Sequence, residues 1–214
     1  MREVYVLGIG EIPFGRFPGR SPIKMGVEAA RLCIKDAGID PRDIQVCYGS
    51  RSRDDTQTIE DIMQYLGVVE REMHNVENAC ASGGTAVELC YKDIASGLYD
   101  VGIVVGAESM TSMPKGLIGV AEGDLDGALG ITMPAHGAML GRRFVEVRGG
   151  TVEDFAYPSV KNHRNAVHNP FAMFRKAITT EDVLNARMIS DPVTVLHCCP
   201  TSDGAAAVIL CSAE

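Results

Sequence analysis

Basic residues are the minority charge in this chain: 20 Lys and Arg stand against 28 Asp and Glu, for a formal net charge of -8 and a pI near 5.1. A nucleic-acid surface needs Lys and Arg clustered on phosphates, so that class of partner is excluded, and an anionic substrate requires a local basic patch. No apolar run approaches the roughly 20 residues of a membrane-spanning helix, which argues against a spanning segment. The opening stretch MREVYVLGIG has neither a long apolar core nor a cleavage site, so no secretory leader is expected. Paired cysteine spacing is missing as well, and the 7 cysteines read as reduced thiols of a cytoplasmic protein. Internal repeats and low-complexity segments are not found.

What is present is an ordinary globular composition. With 214 residues and 46% hydrophobic content, the chain can bury one sizeable core, as one large domain or a domain with an appendage. Val4 to Gly8 is β-rich and ends in a Gly-rich turn. Pro22 opens a helical pattern through Met25, Ala29, Leu32 and Ile34 that stops at Gly38. Ile44 to Gly49 reads as a strand, Glu60 to Leu66 as a short helix, and Ser82 to Ser96 as a longer one. Val101 to Ala107 (VGIVVGA) is an unbroken apolar run, as in a central strand covered on both faces. Strands alternating with helices predict an α/β layered fold with a mostly parallel sheet. Residues 110–190 break this rhythm: they are rich in Met, Gly, Pro and His and predict two helices, Ala135 to Val147 and Thr151 to Asn165, outside the sheet. The chain returns to the sheet with the strand Gly204 to Cys211.

One cysteine differs from the rest in its setting. In VENACASGGTAVELC a strand ends in a turn where Cys80 is followed by Ala81, Ser82, Gly83 and Gly84 and then by helix formers. A thiol at a helix start meets free N–H groups and a partial positive charge, which favours the nucleophilic thiolate. Small neighbours let main-chain N–H groups approach a thioester or developing oxyanion. A free cysteine is also commonly a small buried apolar residue, and local chemistry leaves both readings of Cys80 open. Cys33 and Cys90 lie in helical patterns and Cys47 and Cys211 in strands, where core packing is expected. Cys198 and Cys199 beside His197 invite a zinc reading, but no second cluster completes a CxxC or HxxH spacing, so no metal is expected.

Five segments, in order along the chain, resemble the thiolase superfamily, and most closely its sterol-carrier-protein thiolase branch with its acetyl-CoA acetyltransferase-like members. They are Glu77 to Gly83 (ENACASG), Gly106 to Met110 (GAESM), Lys161 to Pro170 (KNHRNAVHNP), Ile189 to Val193 (ISDPV) and His197 to Ala207 (HCCPTSDGAAA). The resemblance implies one βαβαβαββ half of a five-layered αβαβα architecture. Residues 1–214 would form the N-terminal thiolase domain, with 110–190 as a loop region covering the acyl-CoA pocket. It implies an acyltransferase of lipid metabolism in which Cys80 carries the acyl group as a thioester, with coenzyme A as a substrate and no covalently bound cofactor.

The resemblance also places Met133 and His136 beside the pantetheine arm, as substrate contacts, with ordinary loop packing as the alternative. Arg142 and Arg143 meet either CoA phosphates or only solvent, and the solvated reading is preferred. His163 and Arg164 fit a capped, hydrogen-bonded helix end. Thiolase relatives carry a second βαβαβαββ half that supplies the acid/base groups and further oxyanion donors, and the histidines and cysteines here do not match those motifs. Activity is therefore expected to depend on a second half or partner chain. The resemblance further implies a homo-oligomer or complementary subunit, with a zinc-ribbon/OB-fold protein as an additional partner. Two other functions compete: a non-catalytic thiolase-like scaffold subunit, and a retro-aldolase of the kind that lacks a nucleophilic cysteine.

Overall fold

In the computed structural model, residues 1–51, 58–112 and 123–213 are described. In chain order the elements are β1 (Val4–Glu11), α1 (Pro22–Ala37), β2 (Val46–Ser50), α2 (Thr58–Gln64), β3 (Glu72–Val76), α3 (Ser82–Ser96) and β4 (Val101–Ser109). There follow α4 (Leu125–Ala128), α5 (Met133–Arg148), α6 (Val152–Ala166), α7 (Thr180–Asn185), β5 (Met188–Ser190), β6 (Val193–Thr194) and β7 (Asp203–Ser212). They fall into two compact units, Met1–Ser112 with Ser202–Glu214, and Met113–Thr201. Residues 113–122 of the expected covering region lie outside the described residues.

The first unit is the βαβαβαββ half, β1 through β4 with β7 as its last strand. Its five-stranded sheet has the order β1-β7-β4-β2-β3. β2 runs parallel to β3 and β4, whereas β7 is antiparallel to β4 and β1. The sheet is thus mixed: β1, β2, β3 and β4 run in one sense, as a mostly parallel sheet requires, and β7 opposes them. Helical crossovers force β2, β3 and β4 parallel, but β7 returns from a long excursion and is free to enter in the opposite sense.

Side chains alternate across the sheet. Ile103, Val105 and Ala107 of β4 and Ala205, Ala207 and Ile209 of β7 join Met25, Ala29 and Cys33 of α1 and Ile59, Ile62 and Met63 of α2 in one core. Val46, Tyr48, Val104 and Leu210 face the other way, onto Ala86, Cys90 and Ile94 of α3. Cover on both faces is why β4 reads as a continuous apolar run, and each fully buried aliphatic side chain adds about 1.5–3 kcal/mol. β1 sits so close to α1 that a Cβ at Gly10 would lie 2.2 Å from the Ala29 carbonyl oxygen, which excludes any larger residue there.

Two core expectations need correction. Leu32 is 43% exposed while its neighbour Cys33 is fully buried. The inward face of α1 follows Met25, Ala29 and Cys33 at four-residue steps, and position on the helix outranks the greater hydrophobicity of leucine. Cys211 is only half-buried, beside a β1 partner, Tyr5, that is itself exposed.

Asp203, the first residue of β7, is completely buried. Its carboxylate accepts from the Phe17 N–H (2.7 Å), the Thr111 N–H (2.8 Å) and the Thr111 hydroxyl, tying the loop after β1 to the exit of β4. Burial by itself would raise its pKa, but these donors outweigh it and hold the carboxyl below the usual carboxylate range. A depressed folded-state pKa gives stability that is fully present above the unfolded value of roughly 3.9 and is lost as pH falls through the folded one. Asp203→Asn is therefore expected to cost about 2–3 kcal/mol at neutral pH, with the gap to the parent narrowing in acid. Urea unfolding of both proteins at pH 7 and at progressively lower pH checks this; a gap that stays constant or widens in acid contradicts it.

The second unit is helical, with one short antiparallel pair, β5 and β6. α6 and α7 each open on a capping box, Thr151 with Asp154 and Thr179 with Asp182, in which the threonine hydroxyl accepts from the aspartate N–H. The two helices expected from sequence are α5 and α6. α4, α7 and the β5–β6 pair are too short to show a period and were not expected. No helix among the described residues is long and apolar enough to cross a membrane.

Candidate active site

The carboxyl ends of the parallel strands β2, β3 and β4 share one edge of the sheet, the edge beyond which open α/β sheets bind ligands. β3 lies at the border, so the chain must pass over β2 to reach β4, and α3 makes that crossing. Cys80 stands in the link between β3 and α3. A 3₁₀ turn, Ala79–Ala81, carries it directly into the helix, and its side chain is exposed. Ala81 at the N-cap offers no side-chain acceptor, so the positive end of α3 faces the turn.

This turn is tightly fastened. Ser82, 4% exposed, accepts from the Asn78 N–H at 2.8 Å and donates its hydroxyl to the Ala79 carbonyl at 2.7 Å. The Ala79 N–H donates to Glu77 Oε1 at 2.7 Å, and Asn78 Nδ2 donates to Thr85 Oγ1 at 2.9 Å. Between these bonds Ala79 has φ of 46°, a left-handed conformation that costs a residue with a Cβ roughly 1–2 kcal/mol. Glu77 and Ser82 both stand in the ENACASG segment, but alanine gives no sequence signal of positive φ, and the strain next to Cys80 is visible only in the fold.

The other cysteines have different surroundings. Cys33, Cys47 and Cys90 are buried, and burial pushes each thiol up to about 12. Cys198 is half-buried, its thiol pushed up by burial, and it donates to the Thr194 carbonyl at 3.6 Å; Cys199 is exposed. His197 Nδ1 accepts from the Thr194 N–H at 3.0 Å, and its ring stacks on Phe155 with centroids 5.1 Å apart. Burial lowers the pKa of this imidazole. Among the described residues, no group of three or more His, Cys, Asp or Glu is placed to hold a metal ion.

A second feature of the strand edge escaped sequence reasoning. Arg51, just after β2, pairs with Glu108 of β4 at 3.6 Å, with side chains only 13% and 24% exposed. Glu108 belongs to the GAESM segment, but nothing in the sequence links it to Arg51. The register Ser50 opposite Gly106 is what brings them together.

Met133 and His136 belong to the second unit, in the first turns of α5, and both are exposed. With Leu140 they share one helix face by spacing. Arg142 donates to the Asp191 carbonyl at 3.1 Å and pairs with its carboxylate, while Arg143 pairs with Glu146 at 3.3 Å. His163, in the last turn of α6, stacks on Phe174 and has its Nδ1 3.0 Å from the Lys176 carbonyl oxygen.

A family model described as thiolase, N-terminal domain, matches residues 4–214. The benzoylsuccinyl-CoA thiolase subunit BbsB of Thauera aromatica is 37% identical over 217 residues, covering 100% of this chain and 56% of that protein. An acetyl-CoA acetyltransferase of Methanothermobacter thermautotrophicus is 38% identical over 224 residues, covering 100% of this chain and 58% of that protein. Among solved structures, the Ltp2-ChsH2(DUF35) aldolase superposes with a TM-score of 0.83 at 29% identity, covering 99% of this chain and 56% of that one. The chain thus spans a little over half the length of these relatives.

Proposed function

The chain belongs to the thiolase family as an N-terminal thiolase domain, and from that premise we propose that it carries the nucleophile of an acyl-CoA C-acyltransferase, Cys80, working with a complementary half or partner chain. The observation that supports this most directly is the exposed thiol at the start of α3, on the carboxyl edge of the parallel strands. In the degradative direction Cys80 Sγ attacks the ketone carbon of a 3-oxoacyl-CoA. The adjacent carbon–carbon bond then breaks, its electron pair leaves as an enolate that takes up a proton, and the acyl group stays on sulfur as a thioester. The thiol of a second CoA then attacks the thioester, releasing a shortened acyl-CoA and regenerating the Cys80 thiol. Synthesis runs the same steps in reverse.

Coenzyme A enters as a substrate. Met133 and His136, on the exposed face of α5, are assigned to contacts with the acyl-pantetheine moiety. The dependence on a partner is supported by two relatives, one of which is named as a thiolase subunit and the other of which joins two named components. The same aldolase supports a second reading, retro-aldol cleavage, which breaks a carbon–carbon bond without an acyl-enzyme. Incubation with an acyl-CoA followed by intact-mass measurement and peptide mapping separates the two. The thioester route predicts one acyl adduct, on Cys80; its absence from the folded protein, supplied with its complementary half, removes the acyl-cysteine mechanism and favours the aldolase or scaffold readings.

A further inference from the structure

We propose that Ser82 is a positioning residue for Cys80: its hydroxyl makes two bonds to the residues that lead into Cys80, helps hold Ala79 in the left-handed conformation and so presents the thiol at the positive end of α3. The proposal deepens the reading of Cys80 as a nucleophile and rests on it. Its geometry centres on one residue, whose backbone N–H also donates to the Ala79 carbonyl. The buried hydroxyl accepts from the N–H of Asn78 and donates to the carbonyl of Ala79, so the residue before Cys80 is held at its carbonyl and through the N–H of the residue preceding it. Ala79, with φ of 46°, is one of two non-glycine residues of positive φ among the described residues. Left to itself, an alanine there relaxes toward negative φ, which rotates the following peptide and carries Cys80 away from the helix start. Glu77 assists from outside by accepting the Ala79 N–H, but its side chain is exposed to competing water, whereas that of Ser82 is not.

The role predicts a pattern of epistasis that a merely space-filling serine does not. Glycine accepts positive φ at no steric cost, so Gly at position 79 makes the clasp dispensable. The readout is the rate of Cys80 alkylation by iodoacetamide, followed by peptide mass spectrometry, with exposed Cys199 as the internal reference and continued protection of Cys33, Cys47 and Cys90 as the check on folding. Ser82→Ala is expected to slow Cys80 relative to Cys199 by about fivefold to tenfold. Ser82→Thr, which keeps the hydroxyl, and the double variant Ala79→Gly with Ser82→Ala are expected to react within about twofold of the parent. An unchanged rate in Ser82→Ala overturns the proposal, as does a loss that Ala79→Gly fails to restore. If Ser82→Ala does not fold by itself, the comparison is made within the Ala79→Gly background, where adding Ser82→Ala must leave the rate unchanged; a drop there overturns the clasp. Alkylation needs no acyl-CoA, so failure of the parent to form an acyl adduct counts against the proposed function alone, and the alkylation rates still decide the role of Ser82.

Discussion

Cys80→Ser is expected to abolish acyl transfer in the complete enzyme, by on the order of 10⁴-fold or more, while leaving the fold intact. Cys80 is exposed, and it takes part in the turn through its backbone. Exchanging sulfur for oxygen therefore opens no cavity and removes no core contact. The chemistry is another matter. A thiol is intrinsically the stronger nucleophile and ionises far more readily than a hydroxyl, whereas a serine hydroxyl attacks only with a general base held within hydrogen-bond reach. The measurements are thiolysis of a 3-oxoacyl-CoA by this chain with its complementary half, the intact mass after exposure to an acyl-CoA, and the urea midpoint. Loss of turnover and of the adduct at an unchanged midpoint is the expected result. Retained turnover would end the assignment of Cys80.

Residues 1–214 alone are expected not to turn over a 3-oxoacyl-CoA at an enzymatic rate, although Cys80 is still acylated slowly. Covalent capture needs the thiol, but expelling and protonating the enolate needs a positioned acid and oxyanion donors. General acid–base help is typically worth on the order of 10²–10⁴-fold, and a single oxyanion donor on the order of 10²–10³-fold. Such losses need not multiply, because groups acting as a unit are not additive, yet either alone reduces the rate to a trace. His197 is a poor substitute acid. Its Nδ1 already accepts from the Thr194 N–H, and burial lowers its pKa, which keeps the ring neutral at physiological pH. Steady-state thiolysis by residues 1–214, measured beside the same chain mixed with a complementary thiolase half, decides the matter. Equal rates would mean that these residues contain a working acid/base, with His136 and His197 the first to mutate.

The order of strands and helices in the first unit was legible in the sequence because periodicity and punctuation are local. Pro22 and Gly38 bracket α1, the VGIVVGA run marks β4 as covered on both faces, and small residues before helix formers place Cys80 at a helix start. Family membership followed from short segments kept in order, which is also sequence information. What tertiary structure decided is non-local or depends on backbone conformation. The antiparallel entry of β7 is set by a long excursion that no local signal orients, and the pairing of Arg51 with Glu108 exists only through the register of β2 on β4. The burial of Asp203 comes from two distant chain segments, at Phe17 and at Thr111, converging on its carboxylate. The left-handed Ala79 is the sharpest case: alanine prefers negative φ, and the bonds made by Ser82 and Glu77 help hold it against that preference, beside the thiol on which the proposed chemistry depends.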